Sequence, residues 1–354
     1  MRVLVTGGAG YIGSQVVRGL LEEDHSVAVL DDLSTGHREA VPPSVPFVQA
    51  DVGDRARVEA LLREQKIEAI LHLAARSQAG ESVRDPRRYY TGNLAASIAL
   101  LEAALAAGVG KFVLSSTAAV YGDPISVPIT EDHPTAPINP YGETKLAIER
   151  MLAIYAKAYG LRYAALRYFN AAGADPRVGL GECHDPETHL IPNVLAAAMG
   201  AHAEITIHGH DYPTPDGTCI RDYIHVRDLA DAHLASLAYL ERGGESGCFN
   251  LSTGVGHSVN EVIAACRSVT GREIPVRHGP RREGDPPVLV ASPRRAEALF
   301  GWRAQISSLD RLVSDAWAWM TSTARQRRAS GSLESAAEPM PSTPSASARA
   351  SWRV

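Results

Sequence analysis

Three glycines near the amino terminus constrain this chain more than any other feature. Gly7, Gly10 and Gly13 stand in MRVLVTGGAGYIG, between a short apolar run, Arg2 to Thr6, and a stretch with helical spacing, Tyr11 to Glu23. A glycine triplet alone is weak evidence, but its position between a buried strand and a helix gives it a meaning. Without side chains the backbone can approach a pyrophosphate, and the open N–H groups at the start of the helix stabilise its charge. Gly13 lets the helix lie close to the sheet.

Further apolar runs follow at Val27 to Leu30, Phe47 to Gln49, Ala69 to Leu73, Phe112 to Ser115 and Tyr163 to Leu166, separated by helical patterns near 55–65, 88–107 and 141–159. This alternation predicts an α/β fold with a parallel sheet covered on both faces. Right-handed crossovers then make the sheet doubly wound. After Arg167 the rhythm loosens into loops rich in Gly, Pro and His, with helices expected only near 190–199, 228–241, 258–269 and 309–321. The division read from this is a nucleotide-binding domain over 1–168 and a smaller substrate lobe over 169–322, with some segments returning to the first domain. Residues 323–354 form a tail whose Ser, Ala, Pro and Arg content predicts disorder.

Composition excludes several classes. Lys and Arg number 35 against 40 Asp and Glu, a formal charge of −5 with no long basic run, so no nucleic-acid partner is expected. No tract of 18 apolar residues occurs, which predicts no membrane span and a cytoplasmic protein. Cys183, Cys219, Cys248 and Cys266 lie too far apart for a metal-binding pair and read as reduced packing residues. The pairs His208/His210 and His225/His233 lack the spacing of a known metal site, and no metal is expected.

Asp31 ends the second strand, 18 residues after Gly13. A carboxylate there accepts both hydroxyls of an adenosine ribose and repels a 2′-phosphate, so the cofactor expected is NAD; Asp32 could serve instead, and His37 and Arg38 nearby leave room for NADP, though neither directly follows the strand. Tyr141 and Lys145 are four apart in PYGETKLAIERML, a helical pattern that projects both from one face. Upstream, SSTAAVYG places Ser115, Ser116 and Thr117 at the carboxyl end of a central strand, where a hydroxyl can meet the tyrosine; Thr117 is the expected partner. An ammonium near the phenol, and a positively charged nicotinamide, would favour the phenolate and make Tyr141 a general base at neutral pH.

TGGAGYIG, DVGD, SSTAAVYG, PYGETK, RYFNAAGA, HGHDYPTPDGTCIRDYIHV and RREGDPPVLVAS together resemble the extended short-chain dehydrogenase/reductase family, with a Rossmann-type sheet, and within it the nucleotide-sugar epimerases. The resemblance runs from Met1 to about Met320. It implies an isomerase that uses tightly held NAD as a recycled reagent and interconverts UDP-galactose and UDP-glucose through a 4-keto sugar. Tyr141 would take the proton of the sugar 4-hydroxyl, assisted by Thr117, and Lys145 would bind the nicotinamide ribose. The cofactor positions it implies are Gly7, Gly10, Tyr11, Ile12, Gly13, Asp31, Asp32, Ser34, Thr35, Gly36, Asp51, Val52, Leu73, Ala74, Ala75, Asn93 and Phe169, besides Thr117, Tyr141 and Lys145. For the UDP-sugar it implies Asn170, Arg221, Arg282 and Asp285, the arginines on the diphosphate and Asp285 on the uridine ribose, with His189, Leu190, His208 and Leu289 as further contacts. A homodimer through the helices near 88–107 and 141–159 is implied as well, with Ala95, Ala96, Ala99, Ala103 and Ala104 allowing close approach.

The chain departs from the family pattern in places. Ser77 stands where some members carry a cofactor-binding lysine, His189 where some have asparagine, and His208 where an aromatic residue often packs on uracil. Leu289 occupies a position that ranges from tyrosine to a small residue, leaving 2-acetamido sugars and pentoses open as substrates. A sugar 4,6-dehydratase is disfavoured because Ala118 and Ala119 follow Thr117 where such enzymes need an acid and a base. A non-catalytic NAD-binding regulator is disfavoured by the intact Thr117, Tyr141 and Lys145.

Overall fold

Seven parallel strands form the frame on which the site is built. The computed structural model describes residues 1–282 and 285–334, the stretch 323–334 as backbone alone. The strands are β1 (Arg2–Thr6), β2 (Ser26–Asp31), β3 (Phe47–Gln49), β4 (Ala69–His72), β5 (Lys111–Ser115) and β6 (Arg162–Tyr168), completed by a late strand, β10 (Gly247–Leu251). Their order is β10-β6-β5-β4-β1-β2-β3. The chain reverses direction of winding between β1 and β4, and in such sheets the crevice at the carboxyl ends beside that point receives the ligand.

One face of the sheet is covered by α1 (Tyr11–Glu22) and α8 (Val226–Glu241), the other by α2 (Arg55–Glu64), α5 (Ala96–Ala106) and α6 (Pro140–Tyr159). Val16, Val17 and Leu20 of α1 recur at helical spacing and are buried against Val3, Val5 and Val29. Before α5 the chain runs through two short helices, α3 (Ala79–Arg84) and α4 (Pro86–Tyr89), and a π-helical stretch at Tyr90–Ala95. The expected helix near 88–107 is therefore interrupted where Asn93 points inward.

The 169–322 region builds a second core around α7 (Leu190–Ala198), α9 (Val259–Thr270) and α11 (Leu309–Glu334), with Leu195, Ile207, Ile263 and Leu312 inside it. A small sheet, β11 (Gly256–Ser258), β9 (Ile220–His225) and β13 (Val288–Leu289), with β7 (Asn170–Ala172) also on β9, carries several site residues. The remaining pair is β8 (Ile205–His208) with β12 (Val276–Gly279). Besides α8 and β10, α10 (Arg294–Phe300) packs back on the large sheet through Phe300 against Phe249.

Two expectations need amendment. The composition predicts an unordered tail from 323, but α11 continues to Glu334, because TARQRRAS is rich in residues that extend a helix at little cost; residues 335–354 lie outside the described residues. The resemblance puts Ala96, Ala103 and Ala104 at a contact with a second chain, yet they are buried in this chain's own core beneath α5. The cysteines form no disulfide among the described residues, and among these no helix is long and apolar enough to cross a membrane.

Candidate active site

The glycine turn is built as its sequence demands. Gly7 has φ +73°, and a β-carbon there would lie 2.5 Å from the Ala74 nitrogen; one at Gly13 would lie 1.9 Å from the Gly7 carbonyl oxygen. Gly10 begins α1 without a side-chain cap, so the first N–H groups of the helix stay open toward the cleft. Asp31 is 6% exposed, and its two oxygens accept from the Ala9 and Leu33 N–H groups, both at 2.9 Å. Burial raises its carboxyl while those two donors pull it back. Each oxygen keeps a further lone pair for a hydroxyl.

One cleft gathers Gly7, Gly10, Asp31, Asp32, Ser34, Thr35, Gly36, Asp51, Val52, Leu73, Ala74 and Ala75. A glycine turn, an open helix start and a buried carboxylate in one crevice fit a dinucleotide. The remaining predicted cofactor residues stand outside its lining. Tyr11 donates to the Gly173 carbonyl at 2.6 Å, Ile12 in the first turn of α1 packs on the core beneath that helix, and Phe169 packs with Tyr121 and Leu146. Asn93 grips the backbone of Arg76, accepting from its N–H at 2.9 Å and donating to its carbonyl at 3.0 Å. Arg76 lines the cleft next to Ser77, a cation the sequence pattern does not reveal because the family's lysine aligns with position 77 alone. Gln78, Glu81, His184 and Thr188 also line it, without a signal in the sequence that marks them.

The catalytic candidates are brought together by α6. Asn139 caps the helix by accepting from the Gly142 N–H at 2.9 Å, Pro140 opens it and Gly160 ends it at φ +72°. A β-carbon on Gly142 would meet the Ala119 carbonyl oxygen at 2.5 Å, so glycine lets the helix start close on the turn after β5. Tyr141 thereby comes beside Thr117, close enough for the hydroxyl to act on the phenol, while Thr117 Oγ1 accepts from the Ala119 N–H at 3.1 Å. The other two hydroxyls are engaged elsewhere: Ser116 donates to Glu149 at 2.5 Å, and Ser115 Oγ lies 2.9 Å from His233 Nε2.

The electrostatics differ from the expectation. Burial drives the Tyr141 phenol well above its ordinary value; Tyr168 adds to this and the Thr117 hydroxyl opposes it. Lys145 donates from Nζ to the Ser115 carbonyl at 2.7 Å, and burial pushes its ammonium down to about 8 against the pull of Glu149. One of the three Lys145 donors is thus held by the backbone of β5, and the other two are left for further partners. Behind it Glu149 forms a buried pair with Arg167, 2.6 Å from Nη2 to Oε2, and Arg167 Nη1 donates to Tyr121 at 3.0 Å.

A second cleft collects Asn170, His189, Leu190, His208, Arg221, Arg282 and Asp285, together with Asn193, Cys219 and Tyr223. Arg221 and Asp285, expected on diphosphate and ribose, are paired with each other here, and Arg221 Nη1 also donates to the Ile220 carbonyl at 2.8 Å. Leu289 does not line this cleft; it pairs with Arg221 in the small sheet and packs beside Val120, Tyr121 and Ala291. Thr188 and His189 line both clefts, so the two adjoin. The histidines of the pair His225/His233 are occupied: His225 accepts from the Arg227 N–H at 3.1 Å to cap α8, and His233 bonds the Leu229 carbonyl at 2.7 Å.

The seven-stranded sheet, the glycine turn and the Thr117–Tyr141–Lys145 group define a dinucleotide-dependent class of enzyme, and the chain belongs to the NAD dependent epimerase/dehydratase family, whose pattern matches residues 3–252. Among its relatives, the UDP-glucose 4-epimerase of Halalkalibacterium halodurans is 50% identical over 319 residues, 90% of this chain and 95% of that one. The structure of UDP-glucose 4-epimerase from Brucella ovis in complex with NAD superposes with a TM-score of 0.87 at 46% identity, covering 89% of this chain and 97% of that one. A UDP-glucose 4-epimerase from Stenotrophomonas maltophila, with bound NAD and formylated UDP-arabinopyranose, gives a TM-score of 0.89 at 41% identity over 92% and 99% of the two chains.

Proposed function

We propose that this chain interconverts UDP-galactose and UDP-glucose as an NAD-dependent 4-epimerase. The observation that carries the reading is the half-buried Tyr141 phenol beside Thr117 at the carboxyl end of β5, in a chain with both a dinucleotide cleft and an adjoining cleft lined by Arg221 and Arg282. NAD, when bound, supplies a hydride acceptor that later returns what it accepted, so no net oxidation results. The residues to hold it are the Gly7–Gly13 turn for the pyrophosphate, Asp31 for the adenosine ribose and Lys145 for the nicotinamide ribose.

The chain's own residues manage protons and position. Tyr141 Oη takes the proton of the sugar 4-hydroxyl and gives it back on the opposite course; Thr117 keeps the phenol oxygen aimed. A phenol raised by burial stays protonated at neutral pH, so positive charge beside it, from Lys145 and from a bound nicotinamide, would be what populates the phenolate. Arg221 and Arg282 take the diphosphate oxygens, for which a planar guanidinium offers paired donors, and the substrate therefore displaces the Arg221–Asp285 contact and frees Asp285 for a ribose hydroxyl. Anchorage on the nucleotide leaves the sugar free to turn over.

The test is to incubate the purified chain with UDP-galactose and no added cofactor, following UDP-glucose with a coupled dehydrogenase. Turnover is expected, and parallel reactions with UDP-N-acetylgalactosamine and UDP-arabinose rank the sugars. Tyr141→Phe is expected to keep NAD and lose activity by about 10²–10⁴-fold. Near-normal turnover in that variant would overturn the assigned base, and no turnover with any sugar after adding NAD would overturn the reaction.

A further inference from the structure

The loop that separates the two clefts carries an arrangement of which the epimerase reading uses only His189, as a contact on the sugar side. Glu182, His184, Glu187 and His189 follow one another in the spacing E-x-H-x-x-E-x-H, and one nitrogen or oxygen of each lies within 4.8 Å of those of the other three. His184 and His189 both turn Nδ1 to the same oxygen, Oε1 of Glu182, His184 from 3.1 Å and His189 in direct contact. Glu187 stands behind them, 3.8 Å from His184 Nδ1 and 3.9 Å from His189 Nδ1. Glu182 is 8% exposed, so its carboxylate is not one more solvated surface acid, while His184 and Glu187 are half-buried and His189 is exposed.

We propose that this loop binds one divalent transition-metal cation of the zinc type. Two imidazole nitrogens and two carboxylate oxygens are a common ligand set for zinc, at about 2.0–2.2 Å in tetrahedral array. Ligand atoms on a tetrahedron of that radius are roughly 3.3–3.6 Å apart, so side-chain shifts of about 1 Å close the present cluster around an ion. Two carboxylates with two neutral imidazoles also balance a charge of +2. The mixed nitrogen and oxygen donors favour zinc, cobalt or nickel over magnesium or calcium, which take oxygen alone.

Placement gives the ion a task. His184, Thr188 and His189 line the dinucleotide cleft, and Thr188 and His189 line the second cleft too. The His184 ring stands edge-on to Tyr11, at 6.2 Å between centroids, in the first turn of α1. A cation joining four side chains of one eight-residue loop would therefore lock the wall common to both clefts against the start of α1. The cluster is hard to see in the sequence because its histidines alternate with glutamates and do not stand as a pair.

The experiment uses the full chain with its retained cofactor, treated with a chelator, desalted and titrated with Co²⁺ and then with Zn²⁺ in competition with a chromophoric chelator. Its readout is metal binding, so its failure leaves the epimerase reading standing, and the converse holds. One equivalent per chain bound more tightly than about 10 µM is expected, with visible Co²⁺ bands of a low-coordinate nitrogen and oxygen site. His184→Ala and the isosteric Glu187→Gln should each weaken it about 100-fold or more with the fold intact by circular dichroism. The double change His210→Ala with His278→Ala, at another pair of neighbouring rings, should leave it unchanged. Weaker binding by the unaltered chain, or tight binding that survives both loop variants, would overturn the proposal.

Discussion

His72 and His233 show how individual residues acquire behaviour that composition does not announce. Each is buried, His72 between the hydroxyls of Thr6 and Ser97 at 2.7 and 3.0 Å, His233 between the Leu229 carbonyl and Ser115. A carbonyl only accepts, so His233 Nδ1 carries the proton, Nε2 accepts from Ser115, and Ser115 in turn accepts from Tyr168 at 3.1 Å. Burial lowers His72 to about 3, with Lys145 adding to the effect, and lowers His233 to about 4. Folded values below the ordinary 6.5 mean that the unfolded chain binds more protons as pH falls from about 6.5 toward 4, so stability drops across that window. The expected loss by pH 4.5 is on the order of 3 kcal/mol for each imidazole. Urea midpoints measured from pH 7 to 4.5 should fall, and His233→Gln should flatten the fall; an undiminished slope in that variant would refute its share. The same neighbourhood explains why local sequence favours Thr117 over Ser115 and Ser116 without excluding them: the partners that claim the serines, His233 and Glu149, lie 118 and 33 residues away in the chain.

At the level of elements, α6 is readable from sequence almost to its ends, since Asn139, Pro140 and Gly160 are local stop and start signals that act through nearby backbone. What its start touches is not readable. Gly142 is needed because the Ala119 carbonyl would sit 2.5 Å from a β-carbon, a contact made only when helix and β5 exit are docked. Gly142→Ala should therefore push Tyr141 from Thr117 and lower kcat by about 10–100-fold while NAD stays bound. Steady-state rates with UDP-galactose and a count of retained NAD check this, and an unchanged kcat would show that the helix start is free to shift. The π-helical stretch at Tyr90–Ala95 is the opposite case, a local irregularity inside a periodic segment whose use, aiming Asn93 at Arg76, emerges only in the packed structure.

For the whole molecule, the outer face of the α5 and α6 layer bears on assembly. Ile98 on α5 and Tyr90 in the π-helical stretch before it are exposed, and Ile154, 64% exposed, and Tyr159 lie on α6. Exposed apolar residues on two neighbouring helices fit an interaction surface, and a second copy joined through both helices is the assembly we propose. Sedimentation at micromolar concentration should give twice the chain mass, and Ile154→Asp should shift it toward the single chain; a single chain throughout would refute the dimer. The small alanines matter here less than expected, since three of the five fill the chain's own core. The return of α8, β10 and α10 to the large sheet is legible in the sequence only as unnamed segments, because GCFNL is short, opens on glycine and is broken by Asn250, and gains strand structure from β6 beside it.

Local chemistry determined, from sequence alone, the strand–glycine turn–helix opening, the alternation that winds the sheet, the carboxylate after β2 and the Tyr141–Lys145 pair on one helical face. Each depends on residues within one or two turns of one another, where backbone geometry leaves little choice. The tertiary structure alone decided which hydroxyl meets the tyrosine, that Lys145 bonds the β5 carbonyl, that Arg221 rests on Asp285, and that a loop of alternating glutamates and histidines closes between two clefts. Those outcomes depend on burial and on contacts between distant segments, which set proton affinities and partners only once the chain has packed.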